Sequence, residues 1–189
     1  MRPRVTVIKI GGGLTAIPGA LGTVCRAVAD AARSAAIVVV PGGGPFADAV
    51  RAFDRDHGVS ADASHWMAML AMDQYAEVLA ERIEGAVLVQ EAGAAVEAVD
   101  PAGVAVLAPT RWMRAADVLP HTWDATSDSV AAFVAGALDA ERLVLVKVAV
   151  NGSDVVDRCF SSVLPAGLQH DAIPWTRIGE IGTLLSQKP

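Results

Sequence analysis

The sequence predicts an α/β fold in which helices cover both faces of a mainly parallel sheet. Short apolar runs rich in Val and Ile alternate along the chain with longer segments of helical spacing. Strands that are apolar throughout are typical of a parallel sheet buried between helices. The chain has 189 residues, 53% of them hydrophobic, which suits a single domain with a substantial core.

The chain opens with two strand–loop–helix units. Val5–Ile10 is a β-branched run that ends at glycines, and residues 36–40 form a second such run, so we predict two buried strands. Between them, residues 18–34 carry apolar side chains at helical spacing. Residues 46–53 are predicted to form the helix that follows the second strand.

The same alternation continues through the middle of the chain and weakens after residue 150. Residues 64–83 form the longest segment with a helical pattern. Further apolar runs predict strands at 86–90, 104–107 and 143–150, a helix at 126–138, and a helical or irregular stretch at 110–118. The short runs 155–163 and 181–185 are predicted to be edge strands.

Composition excludes several classes of protein. A net charge of -6 argues against a broadly basic nucleic-acid surface. Cys25 and Cys159 are far apart in sequence, which fits neither a zinc cluster nor a disulfide framework. The N-terminus does not resemble a signal peptide, and no segment has the roughly 20 apolar residues of a membrane helix. We therefore expect a cytoplasmic protein.

Two glycine triplets follow the first two strands. They are Gly11, Gly12 and Gly13, and Gly42, Gly43 and Gly44. Parallel sheets bind ligands at the carboxyl ends of their strands, and glycine lets backbone N–H groups approach phosphate oxygens. The triplets therefore indicate a phosphate-binding crevice if the two strands are neighbours; the alternative is that the glycines only form tight turns.

Two lysines lie where buried strands end. Lys9 directly precedes the first glycine triplet, and Lys147 occupies a similar position in a late strand. A buried ammonium group is costly unless it reaches water or an anion. The pair therefore favours an anionic ligand; the alternative is that each lysine extends past its strand into solvent. A third cluster of hydroxyls and carboxylates, residues 121–129, leads into an apolar helix and exceeds what helix capping requires.

In order and spacing these motifs resemble the amino acid kinase (carbamate kinase-like) superfamily. The residues that carry the resemblance are Lys9-Ile10-Gly11-Gly12, Pro41-Gly42-Gly43-Gly44, Ser127-Asp128-Ser129, Lys147 and the terminal 179–185. The resemblance implies a three-layer αβα sandwich with a mainly parallel central sheet. It also implies one domain, 1–189, in which about 1–140 binds the acceptor and about 141–189 forms a shortened nucleotide-binding part.

Residues 64–74 and 121–129 are similar to the branch of aminomethylfuran phosphate kinases, which serve methanofuran biosynthesis. This resemblance implies an enzyme that uses ATP and Mg²⁺ to phosphorylate a small phosphate monoester, (5-(aminomethyl)furan-3-yl)methyl phosphate, to its diphosphate. Two alternatives stay open: a kinase of an amino acid carboxylate or nucleoside monophosphate, and a non-catalytic nucleotide- or anion-binding protein on the same scaffold.

Within this hypothesis Lys9 and Lys147 bracket the transferred group, and Asp128 holds both lysines in place. The candidate acceptor-binding residues are Arg51, His65, His121, Trp123, Asp124 and Ser127, with Arg111, Arg114 and Trp66 as further possibilities. The candidate nucleotide-binding residues are Lys147, Asn151 and Gly152. No protein metal site is predicted: Mg²⁺ would be carried by the nucleotide phosphates, and help from Asp128 or water stays open. Helix 64–83, with its methionines, is expected to pack within the protein or between subunits of a homodimer or larger homo-oligomer.

Overall fold

The computed structural model describes residues 4–150 and 155–186, which form one sheet and two layers of helices. The strands are β1 (Val5–Ile10), β2 (Ala36–Pro41), β3 (Ala86–Val89), β4 (Gly103–Leu107), β5 (Arg142–Lys147) and β6 (Gln169–Pro174). The helices are α1 (Ala20–Ala32), α2 (Gly44–His57), α3 (Ala61–Arg82), α4 (Ala92–Ala98), α5 (Thr110–Ala116), α6 (Ser127–Ala137), α7 (Phe160–Val163) and α8 (Ile181–Ser186). Two 3₁₀ turns span Gly12–Ala16 and Trp175–Glu180.

All six strands run parallel, in the order β3-β4-β2-β1-β5-β6. The predicted three-layer fold is therefore confirmed. β1 lies between β2 and β5, and its Lys9 is aligned with Val40 on one side and Leu145 on the other. The loops that follow β1 and β2 consequently leave the sheet side by side.

The two faces of the sheet are set by the alternation of side chains along each strand. Val7 of β1 packs in the cluster that contains much of α6, and we call this side the α6 face. Ile8 packs in the cluster that contains much of α1 on the opposite side. Lys9 has the same parity as Val7, and Lys147 the same parity as Leu145, another residue of the α6 face. Both lysines therefore belong to the α6 face.

Helix α3 serves both hydrophobic clusters. It begins at Ser60, whose hydroxyl accepts a hydrogen bond from the Ala63 N–H at 3.2 Å, as an N-cap serine does. In its first half Met69 and Met72 join the α6-face cluster. Further along, Tyr75 and Leu79 join the opposite cluster. The predicted packing role of this methionine-bearing helix is confirmed for these two methionines.

Both predicted edge strands near the end of the chain are wrong. Within 155–163 the structure has only α7, preceded by irregular backbone, and within 181–185 it has α8. Ile181, Leu184 and Leu185 recur at i, i+3 and i+4, which is helical spacing. The edge strand near the end of the chain is β6, and it was missed because its first three residues are polar and only Ile173 is buried, so that no apolar run marks it.

Other differences concern shorter stretches. Helix α4 was not predicted, and β5 ends at Lys147 rather than at residue 150. The segment 110–118 resolves as helix α5.

Both cysteines are free, and burial raises the pKa of Cys25 to about 11. Among the described residues, no helix combines the length and the apolar character needed to cross a membrane.

The buried hydroxyl of Tyr75 generates a stability prediction. Tyr75 is 0% exposed, and its hydroxyl has no hydrogen-bond partner among the described residues. Tyr75→Phe removes this desolvated polar group, so we expect urea unfolding to show unchanged or higher stability, by up to about 1 kcal/mol. Leu79→Ala, at an equally buried position of α3, should lower stability by about 2–5 kcal/mol. A clear loss of stability in Tyr75→Phe would contradict the prediction.

Candidate active site

Two lysine ammonium groups meet on one carboxylate at the end of the sheet. Lys9 Nζ lies 2.9 Å from Asp128 Oδ1, and Lys147 Nζ lies 2.7 Å from Asp128 Oδ2. The side chains are only 7%, 17% and 5% exposed for Lys9, Lys147 and Asp128. Each carboxylate oxygen is thus paired with a different lysine in a largely buried position.

The secondary structure explains why these three side chains meet. Lys9 is the penultimate residue of β1 and Lys147 the last residue of the adjacent strand β5. α6 packs across both strands, and Asp128 lies in its first turn. The Thr126 hydroxyl, at the N-cap, accepts a hydrogen bond from the Asp128 N–H at 3.5 Å. The start of α6 thus places the Asp128 carboxylate at the ends of β1 and β5.

The electrostatics of this cluster favour an anion beside it. Burial raises the pKa of the Asp128 carboxyl, but the charges of Lys9 and Lys147 lower it by more. The net effect is a pKa below the ordinary value. Burial lowers the pKa of Lys9, an effect that the Asp128 carboxylate opposes. Two ammonium groups against one carboxylate leave an excess positive charge in a poorly solvated place, which an anionic ligand would balance.

The two glycine loops touch through their backbones. A Cβ on Gly12 would lie 2.1 Å from Gly44 N, and a Cβ on Gly42 would lie 2.5 Å from Gly12 N. Gly44 also has φ of +55°, a conformation that disfavours other residues. The condition for a shared crevice, that the two strands are neighbours, is therefore met. Glycine is needed at the contact itself and not only for turning.

Two of the six predicted phosphate-binding glycines have their N–H groups already in use. Gly11 donates to Val146 O at 2.9 Å, and Gly42 donates to Ile10 O at 2.8 Å. Both bonds extend the parallel ladders beyond the strand ends. This corrects the expectation that the Gly11 N–H contacts phosphate. Gly12, Gly13, Gly43 and Gly44 line the neighbouring cavity and lie where helical turns begin, where backbone N–H groups lack intrahelical partners.

A cavity of about 270 Å³ opens beside the glycine loops. Its apolar wall is formed by Ala47, Ala68, Met69 and Met72 of α2 and α3. Ser64 of α3 also lines it, together with Thr126 and Ser127 at the start of α6. At its rim the Arg51 guanidinium lies 4.7 Å from the centre of the Trp123 ring. An apolar wall with a few polar groups is typical of a small-ligand site.

A pair of histidines fastens the loop between α5 and α6 to α3. His121 Nδ1 lies 2.6 Å from Asp62 Oδ1 of α3, and His121 Nε2 lies 3.0 Å from Asp117 Oδ1. The His121 ring stacks on His65, with centroids 4.1 Å apart. Hydrogen bonds to the carboxylates of Asp62 and Asp117 raise the pKa of His121. Burial and the nearby His121 lower the pKa of His65.

The structure brings together most of the predicted acceptor-binding residues. Arg51, His65, Trp123 and Ser127 line the cavity, and His121 stacks behind His65. Asp124, Arg111, Arg114 and Trp66 lie outside the cavity lining that the described residues form. Asp124 and Arg111 pair with exposed Arg158 and Glu91, while Arg114 lies over the Trp66 ring. Asn151 and Gly152 lie outside the described residues, and no cluster of three or more metal-ligating acidic, His or Cys side chains occurs within them.

Sequence reasoning missed Asp157 and the methionine wall. The Asp157 carboxylate accepts hydrogen bonds from both Thr126 and Ser129, which flank Asp128 closely. These partners lie 31 and 28 positions earlier in the chain, so no local motif marks the residue. Met69 and Met72 were predicted to pack and do so, but they also line the cavity.

Comparison with known proteins gives a consistent family. The sequence model described as the amino acid kinase family matches residues 4–152. A curated relative, the (5-(aminomethyl)furan-3-yl)methyl phosphate kinase of Methanocaldococcus jannaschii, is 32% identical over 142 residues. The match covers 74% of this chain and 63% of the relative. The chain thus spans less than two thirds of that relative's length.

Solved structures with the same fold include three pyrimidine nucleotide kinases. The uridylate kinase of Archaeoglobus fulgidus has a TM-score of 0.61 and 20% identity, covering 80% of this chain and 67% of its own. The UMP kinase of Ureaplasma parvum has a TM-score of 0.63 and 16% identity, covering 80% of this chain and 72% of its own. The UMP kinase of Bacillus anthracis has a TM-score of 0.69 and 12% identity, covering 96% of this chain and 93% of its own. At these identities the likeness concerns the fold.

The backbone contact between the glycine loops is testable by stability. Gly12→Ala places a methyl group against the Gly44 backbone. The free energy of unfolding should therefore be about 1–3 kcal/mol lower than in the wild type. Gly93→Ala, in α4 with nothing within 4 Å of the added Cβ, serves as the matched control and should keep or slightly raise stability. Equal unfolding midpoints for Gly12→Ala and the wild type would show that the loops do not touch.

The His121 contacts predict that the attachment of the α5–α6 loop to α3 depends on pH. Because the pKa of His121 is raised above its ordinary 6.5, its contribution to stability is complete below that value and is lost as the pH rises through the raised pKa. NMR titration of the His121 ring should show the raised pKa in the wild type and a lower one in Asp62→Asn. Asp56→Asn, which alters a separate exposed pair with Arg55, should leave it unchanged; an ordinary wild-type pKa would refute the bonding.

Proposed function

The chain belongs to the amino acid kinase family, and we propose that it is an ATP-dependent phosphotransferase that acts on a small phosphate monoester. The first candidate acceptor is (5-(aminomethyl)furan-3-yl)methyl phosphate, the compound in the name of the curated relative. The observation that carries the proposal is the pair of buried ammonium groups on Asp128, next to two touching glycine loops and a small-ligand cavity.

The lysines supply the electrostatic part of the proposed catalysis. Phosphoryl transfer needs aligned donor and acceptor oxygens and cations that match the charge on the migrating group. Lys9 and Lys147 stand at the ends of neighbouring strands, from which both ammonium groups can reach one phosphoryl group. Asp128 holds both side chains before the ligand arrives, so little reorganisation is required during the reaction.

The acceptor would occupy the cavity, with its phosphate toward the glycine loops. The Met69 and Met72 wall and the Trp123 ring offer apolar contacts to a small aromatic ring. The Arg51 guanidinium at the rim has the geometry that suits phosphate oxygens. An ionised phosphate oxygen attacks the γ-phosphorus while the bond to the ADP oxygen breaks, so no protein base is needed to remove a proton.

The nucleotide is proposed to bind with Mg²⁺ on its phosphates. Both oxygens of Asp128 are paired with lysines, and the described residues contain no cluster of three or more metal-ligating acidic, His or Cys side chains. The metal would therefore be held mainly by phosphate oxygens and water, where it would neutralise charge. The division into an acceptor part up to about residue 140 and a nucleotide part from about 141 stays a prediction, as does a cytoplasmic location.

A homo-oligomer is also proposed. Leu70 of α3 and Phe53 of α2 are each 47% exposed, and these helices pack together, which leaves apolar side chains on their outer surface. Such side chains fit a contact between two copies along α3. Gel filtration with light scattering should give at least a dimer, and a monomer would reject this part of the proposal.

The acceptor is decided by an ADP-release assay with Mg-ATP. The panel contains (5-(aminomethyl)furan-3-yl)methyl phosphate, UMP and free amino acids, because the UMP kinase folds make a nucleoside monophosphate the second candidate. We expect rapid ADP release only with the furan phosphate, with the diphosphate as product. Faster ADP release with UMP or an amino acid would reject the furan phosphate as the acceptor. Tight ATP binding with no acceptor-dependent ADP release would indicate a binding protein instead of a kinase.

Replacing Lys9 tests the proposed charge contact. Lys9→Met should lower kcat by at least about a hundredfold, because a preorganised cation is lost from the migrating group. Steady-state kinetics with the best acceptor measure the effect. Arg33→Met, at an exposed cation paired with Asp30 on α1, is the control and should keep the wild-type rate. Normal turnover in Lys9→Met would show that the phosphoryl group lies elsewhere.

A further inference from the structure

The carboxylate of Asp157 accepts more hydrogen bonds than the active-site proposal uses. It receives the Thr126 N–H and hydroxyl at 2.9 and 2.8 Å, the Ser129 N–H at 3.0 Å and the Ser129 hydroxyl. A fifth bond comes from the Cys159 N–H at 3.1 Å. Asp157 lies in the irregular segment before α7, whereas four of these donors belong to the start of α6.

A carboxylate suits these donors better than an amide does. Thr126 and Ser129 present two N–H groups and two hydroxyls at the positive end of α6, where a negative charge is favoured. A carboxylate has about four acceptor sites and no donor, but an amide has only one oxygen and adds an NH₂ group. Asp157→Asn would therefore leave donors unpaired at the start of α6.

These bonds fix the residues on both sides of Asp128. The Thr126 hydroxyl donates a hydrogen bond to Asp157 and accepts one from the Asp128 N–H. Ser129, immediately after Asp128, is held through both its N–H and its hydroxyl. The backbone that carries the Asp128 side chain is thus bonded on either side to the same carboxylate.

We propose that Asp157 is a positioning residue for phosphoryl transfer: it sets the place of Asp128 and, through it, of both lysine ammonium groups. The inference rests on the proposed function, since it assigns Asp157 a part in that reaction. Asp157 follows β5 and its Lys147 along the chain, while α6 precedes β5. The four bonds from Thr126 and Ser129 therefore also tie the segment after Lys147 to α6, the helix whose Asp128 holds Lys147.

The charges around Lys9 supply a readout that a merely structural role would not move. Burial lowers the pKa of Lys9, and the ammonium group of Lys147 in β5 lowers it as well. Asp128 in α6 raises it, and so does the charge of Asp157 before α7. Removing the Asp157 charge and loosening Asp128 both act in one direction, so the pKa of Lys9 should fall.

The first experiment compares Asp157→Asn with the wild type in steady-state kinetics. We expect kcat to fall at least about tenfold, since a misplacement of about 1 Å can cost about a hundredfold in rate, with the acceptor KM within about twofold. The alkaline limb of the kcat profile should move to lower pH. Asp139→Asn removes the same charge just beyond the opposite end of α6, at an exposed position with φ of +52° that asparagine accepts, and should behave as the wild type.

A double-mutant cycle separates positioning from a direct contact. If Asp157 acts through Asp128, adding Asp157→Asn to Asp128→Asn should lower kcat little further. Independent, multiplying effects of the two substitutions would overturn the proposal. An unchanged kcat and pH profile in Asp157→Asn would overturn it as well.

A measurement without turnover keeps the test independent of the proposed function. The sequence contains three lysines, so NMR of lysine-labelled protein can follow the Lys9 Nζ signal directly. Its pKa should fall in Asp157→Asn and stay in Asp139→Asn; no change would refute the positioning role even in a protein that phosphorylates nothing. If Asp157→Asn does not fold, Ser129→Ala, which deletes one of the five bonds, should show smaller changes in the same directions, and their absence would count against the proposal.

Discussion

The contact on which the site depends is the sharing of the Asp128 carboxylate by two ammonium groups. Three charged side chains at the end of a buried sheet would be unfavourable singly, because each would lose its hydration without compensation. Together they satisfy one another and leave an excess positive charge. The fold thus holds, in a largely buried position, an excess positive charge that a phosphate group can balance. The proposed chemistry follows from that charge.

The contact in turn depends on strand register. Side chains alternate between faces, so Lys9 and Lys147 share the α6 face only because β1 and β5 pair in the observed register, with Lys9 beside Leu145. A shift of one strand by one residue with respect to the helix layer would turn its lysine toward the opposite cluster. The apolar residues of the same strands, Val7 and Leu145 among them, therefore protect the site's geometry by making such shifts costly.

Two further layers of contact hold the components that surround this cluster. The glycine loops touch where no side chain fits, which brings backbone N–H groups near the cavity. The loop that carries Trp123 is fastened to α3 through His121, and the start of α6 is fastened to the segment after β5 through Asp157. Each of these connections joins chain segments that are distant in sequence, so the site depends on the tertiary fold.

Most of the strands and the longer helices follow from local sequence, since apolar periodicity reports the burial of neighbouring residues. Lysines at strand ends, glycine triplets and the polar cluster before α6 likewise indicate an anion site from the chain alone. Local patterns failed at β6, whose partly exposed residues carry no apolar run, and at Asp157, whose partners lie 28 and 31 positions away. They also could not show that the Gly11 N–H already bonds Val146. Such facts depend on which strands pair and which helix covers them, and those choices are made by packing between distant segments, a free energy that no local stretch of sequence contains.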